Sequence, residues 1–185
     1  MHIALPKARS GDKLPATEQR LGFLAANRDP ELGYVGGLLL TTARGRPIEF
    51  HYTTPVNPSP THKILYGPEL EPYLLGELIG SNLIRQITVE PAFIVTDQPH
   101  VLNLRKNSPY PIVHVVNRPT AFEPPATKPG CGTELATHPE FADDSAALRR
   151  WLDEVNPGLN LNEPFARVWE AIREVMQAPS KAKAA

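Results

Sequence analysis

The sequence predicts an α+β protein: a mainly antiparallel sheet with a long helix on one face and a helical hairpin at the C-terminal end. Three observations lead there. The stretches GYVGGLLLTTA and IEFHYTTPV have strand composition and flank a short Arg44-Gly45-Arg46-Pro47 link. EPYLLGELIGSNLIRQI has the apolar density of a buried helix. From Asp143 onward, apolar residues recur at helical spacing in two successive runs.

Residues 1–20 hold Pro6, Gly11, Pro15 and scattered charge without periodicity, and read as a flexible arm. Residues 21–117 form the α+β core domain. Leu21 to Ala26 is a short apolar run, a strand or a helical turn, and Asn27-Arg28-Asp29-Pro30 is turn chemistry. The hairpin follows. Gly45 supplies the positive φ of a tight turn, and Pro47 sits where its missing N–H does least harm. Alternation puts Ile48, Phe50, Tyr52 and Thr54 on one face and Glu49, His51 and Thr53 on the other, a solvated polar face. The first strand is apolar on both faces, Leu38 and Leu40 opposite Val35 and Leu39, so it is central and covered on both sides.

Asn57 to His62 is a rigid polar loop, and Ile64-Leu65-Tyr66 is expected to bury before Gly67 and Pro68 redirect the chain. Pro72 marks the first turn of a helix over about 70–86. Further strands are expected at 87–97, 101–105 and 112–116, with Pro91 imposing an edge, a bulge or a break. Over roughly Leu21 to Val116 this order of hairpin, long helix and returning strands is similar to roadblock or longin-like modules. The resemblance is topological, carries over no functional residue, and does not extend to the C-terminal helices.

Residues 118–142 are a Pro/Gly-rich strap or linker. Residues 143–178 are the helical hairpin. Its first helix is capped by Asp143 or Asp144 and lined by Leu148, Trp151, Leu152 and Val155. Asn156-Pro157-Gly158 ends it. Asn162 then opens a helix with Phe165, Val168, Trp169, Ile172 and Met176 on one stripe, and both tryptophans should be largely buried. Residues 179–185 are a disordered tail.

Charge narrows the function classes. Lysine and arginine number 19 against 20 acids, which gives no electrostatic footprint for nucleic acid or a membrane surface. A single cysteine and no apolar signal run favour the cytoplasm. No cofactor motif is found, and none of the six histidines falls at i, i+4 with another on a helix, so no metal site is expected.

Chemistry-bearing residues are few. His51, with Glu49 on its strand face, is the best titratable candidate, and a small hydrolase or transferase would combine it with Glu49, Asp97 or Cys131. Cys131 lies between glycines with Lys128 nearby, but nothing local supplies a base. Apolar surface outweighs such constellations, so an interaction or adaptor subunit without its own catalysis is the leading expectation. Its partner is another protein chain or a second copy in a homodimer. Gly76 and Gly80 form a small-residue stripe, and Leu75, Ile79 and Leu83 point away from Leu70 and Leu74, which together mark a docking face. Arg44 and Arg46 at the hairpin tip are a second candidate contact.

Overall fold

Alternating apolar side chains and tight bends fold the first part of the core into a three-stranded meander, β2 (Arg20–Asp29), β3 (Gly33–Thr42) and β4 (Pro47–Tyr52). The computed structural model describes residues 2–4, 19–116 and 134–177. The meander is antiparallel, with Leu24 opposite Leu38 and Leu39 opposite Phe50. Gly45 takes φ 78° at the second bend, as the turn requires. His2–Ala4, part of the expected arm, form β1 and pair with β4, so β4 is not the sheet edge.

Among the described residues seven strands share one sheet in the order β1-β4-β3-β2-β5-β6-β7. β5 (Phe93–Thr96) and β6 (Ile112–Val116) complete its middle, and β7 (Glu134–Thr137) its far side. β5 runs parallel to β2, and β6 parallel to β5; the other pairs are antiparallel. The sheet is therefore mixed, not mainly antiparallel. The parallel pairing has a local cause. Residues 101–105 are not a return strand but lie in a 3₁₀ helix, Pro99–Lys106, which crosses between two parallel strands. Gln98 starts it by accepting the His100 amide on its side chain at 3.3 Å. Val101 is fully buried on its inner side. The strand expected at 87–97 shrinks to Phe93–Thr96, with the chain broken at Pro91.

Both sheet faces are covered, giving three layers. On one face lies a helix wound as π over Pro72–Gly80 and continuing as α2 (Ser81–Arg85). Leu74, Leu75, Ile79 and Leu83 pack there with Leu24, Leu38, Leu40 and Ile94. On the other face lie α3 (Asp143–Val155) and α4 (Glu163–Gln177). Trp151, Phe165, Val168 and Ile172 pack there with Phe23, Val35, Leu39 and Val95. The C-terminal pair thus supplies the second cover that the doubly apolar β3 demands. Asp143 and Asp144 stand in the first turn of α3, after Ala142 in the capping position, where their charge favours the helix start without a side-chain cap.

Gly36 and Gly37 show how closely the layers meet on β3. A Cβ on Gly36 would lie 2.5 Å from Ile79 of the π helix, and one on Gly37 2.9 Å from Val168 of α4. Side chains there would hold both helical layers off the sheet. Of the expected strap, residues 134–142 hold β7 and a 3₁₀ turn, Pro139–Phe141. Residues 117–133, with Cys131, and the expected tail lie outside the described residues.

Candidate functional site

The histidine candidate is placed deep in the protein. His51 is 1% and Glu49 4% exposed, so this is not a solvated strand face. Register explains the burial: His51 sits opposite Leu38, on the face covered by the π helix, and β1 covers the flank. His51 Nε2 and Glu49 Oε2 are 3.0 Å apart. Glu49 also accepts the Thr88 hydroxyl and, at 3.2 Å, the Thr88 amide. Burial pushes the Glu49 carboxyl upward, but Thr88 and His51 outweigh it and hold the group below the ordinary carboxylate range. The arrangement ties β4 to the chain leaving α2. Thr88 donates to the carboxylate, so the three groups do not form a relay in which an imidazole activates a hydroxyl.

Asp97 does not join them. It follows β5, three inter-strand spacings or roughly 14 Å across the sheet from β4. Its Oδ2 accepts the Trp169 indole N–H at 3.2 Å, and its Oδ1 the Ala26 amide at 3.4 Å. It therefore lies on the α4 face, whereas His51 lies on the other. Burial raises its carboxyl to about 6, against the lowering effect of the Trp169 and Ala26 donors. On neighbouring β6, burial pushes the His114 imidazole down, partly offset by a hydrogen bond to the Asp97 backbone. Among the described residues no group of three or more His, Cys, Asp or Glu is placed to hold a metal ion.

The small-residue stripe is occupied by the chain itself. Leu75, Ile79 and Leu83 are 2%, 1% and 0% exposed. A Cβ on Gly76 would lie 2.6 Å from the His100 carbonyl oxygen, and one on Gly80 2.8 Å from Leu104 Cδ1. The close approach anticipated at these glycines is made by Pro99–Lys106. Leu70 and Leu74 share the same core cluster as Leu75, Ile79 and Leu83. Two things reconcile this with the helical-wheel expectation. The π winding changes the azimuth of successive residues, and the 3₁₀ segment buries the side that the sheet does not reach. Arg44 and Arg46 are exposed at the hairpin tip, where Arg167 Nη1 donates to the Gly45 carbonyl at 3.0 Å.

The surface feature that stands apart is α1 (Pro60–Tyr66), a helix with no buried residue. Ile64 is 81%, Leu65 74% and Tyr66 37% exposed, and these are the large hydrophobic residues left exposed among the described residues. They were expected to bury. The local sequence explains why a helix forms without a core beneath it. Ser59 is extended and its Oγ accepts the His62 amide at 3.2 Å, Pro60 occupies the first turn, and the Gly67 amide closes on the Lys63 carbonyl. Gly67 then takes φ 49°, a left-handed value that turns the chain sharply away from α1. Tyr66 touches the body, its ring 4.8 Å from that of Tyr73 on the π helix.

Tyr73 also lines a groove of about 500 Å³ between the outer side of the π helix with α2 and the 3₁₀ segment. Its apolar wall is Leu78, Ile84 and Leu104, and Glu77 and Arg85 are its charged groups. The sequence did carry a signal for α1: three consecutive apolar residues framed by Asn57-Pro58-Ser59-Pro60 and Gly67-Pro68, too short a run to reach back to a core. Compared with protein-family models and with curated proteins, the chain matches none. No helix among the described residues is long and apolar enough to cross a membrane.

Proposed function

We propose that the protein is an interaction or adaptor subunit that works by contact and not by catalysis, with α1 as its contact element. One observation carries this reading. Ile64, Leu65 and Tyr66 are consecutive, exposed and held in a capped helix that contributes nothing to the core. Single exposed apolar residues need no explanation, but a contiguous run on a projecting helix does. A seven-residue helix is also marginal in water on its own, and burial against a partner would stabilise it. The titratable groups support the same reading: Glu49 and His51 are enclosed, and Asp97 lies on the opposite face of the sheet.

The balance of 19 basic and 20 acidic residues favours a protein partner over nucleic acid, and the single cysteine fits a cytoplasmic setting. Docking at Gly76 and Gly80 would require the 3₁₀ segment to lift away, so the contact is assigned to α1. Arg44 and Arg46 remain as an accessory site for an acidic group. The test is the double substitution Ile64→Glu with Leu65→Glu. It should abolish association, with itself or with proteins of its source cell, while leaving the thermal midpoint within a few degrees of wild type. Undiminished association in the double variant would remove α1 from the function.

A further inference from the structure

We infer that the groove beside α1 receives α1 of a second copy of this chain, so that two copies dock reciprocally about a two-fold axis. This rests on the reading of α1 as the contact element and names its occupant. Insert and receptacle lie on one patch: Tyr73 contacts Tyr66 of α1 and also lines the groove. A patch that carries both is self-complementary, which is what a two-fold interface requires. The groove is not filled by its own α1. Every residue of that helix is exposed, and Gly67 at φ 49° directs it outward.

The chemistry of the two parts matches. Ile64 and Leu65 meet the half-buried wall of Leu78, Ile84 and Leu104 in this open groove. Lys63 is the one lysine or arginine on α1, which bears no acid. Of the groove's two charged groups, Glu77 and Arg85, both exposed, Glu77 is the one of opposite sign and serves as its counterpart. The two-fold makes each contact twice, so two Lys63–Glu77 pairs set the register while four aliphatic side chains leave water.

The experiment is sedimentation equilibrium of the full chain over a concentration series, with a thermal melt on each variant. Wild type should be a reversible dimer. Ile64→Glu with Leu65→Glu should be monomeric and melt where dilute, monomeric wild type melts, and Leu78→Glu should be monomeric too. An equimolar mixture of those two variants should regain a weaker dimer, since one intact insert then meets one intact groove. Should Leu78→Glu fail to fold, the charge pair decides. Lys63→Glu and Glu77→Lys should each weaken the dimer about tenfold, because each places like charges together twice, and combining them should restore it. A monomeric wild type overturns the inference, as does a dimer indifferent to the Ile64 and Leu65 changes or a double charge swap no better than the single ones. A monomeric wild type that binds a different protein through Ile64 and Leu65 would sink reciprocal docking and leave the contact reading standing. Wild-type self-association and capture that both survive loss of Ile64 and Leu65 would sink both.

Discussion

Asp97 should make the protein less stable as pH rises from about 4 through about 6. Its carboxyl is raised from the ordinary 3.8 to about 6 because burial beside Trp169 disfavours the charged form. A folded-state value above the unfolded one gives stability that is fully present below about pH 4 and lost as pH climbs through about 6. Roughly two pKa units at about 1.4 kcal/mol each put this contribution at up to about 3 kcal/mol between pH 4 and pH 8. Asp97→Asn isolates it. The amide oxygen still accepts the Trp169 indole N–H, while the amide nitrogen faces the Ala26 N–H, a cost that does not change with pH. Urea unfolding of both proteins, followed by circular dichroism at several pH values, gives the difference in unfolding free energy directly. The difference should shift in favour of Asn by about 2–3 kcal/mol from pH 4 to pH 8. A flat difference, or a shift favouring Asp at high pH, would refute the reasoning.

The other predictions follow from packing and pairing. Gly76→Ala should lower stability by about 1–3 kcal/mol in chemical denaturation, despite alanine's better helix propensity, because its Cβ meets the His100 carbonyl; a stabilised variant would show that the 3₁₀ segment does not pack on this stripe. Trp151→Ala should cost about 3–5 kcal/mol, since the ring is buried against Phe93. Trp169→Ala should cost less, because Trp169 is only partly buried, and should raise the Asp97 carboxyl further by removing its main donor, visible as a displaced pH midpoint. His51→Ala should cost about 3–5 kcal/mol at neutral pH, where it leaves a buried Glu49 charge without its imidazole. The Glu49 carboxyl lies below its ordinary value, so its own contribution is present above the unfolded value and is lost as pH falls through the lower folded value, visible as an acid-side loss of stability in urea unfolding of wild type.

Much of the fold was legible because local signals agreed with it. Alternation and Arg44-Gly45-Arg46-Pro47 marked the β3–β4 hairpin, and the doubly apolar β3 demanded two covering layers, which the structure supplies. The parallel strands were not legible. Leu102, Asn103, Leu104 and Arg105 alternate like a strand, yet Val101 and Leu104 also satisfy the i, i+3 spacing of a 3₁₀ helix, and only the direction of β6 decides between them. Burial of Glu49 and His51 was hidden for a related reason: alternation assigns a face but not what lies on it, and β1 and Thr88 come from distant parts of the chain. Winding of Pro72–Gly80 as π has no local mark such as an inserted residue would leave. α1 was misplaced because three apolar residues in a row read as core unless the reach of the flanking Pro and Gly bends is known.

Amide hydrogen exchange on α1 across a protein-concentration series tests the contact reading most directly. A short helix with no buried residue opens freely when alone and exchanges fast, whereas a docked one is protected. Protection at Lys63 to Tyr66 should rise with concentration, together with that of groove residues 77–85, and β3 should stay protected throughout as the internal reference. Exchange on α1 that remains fast at every concentration, and unchanged by proteins of the source cell, would contradict the account.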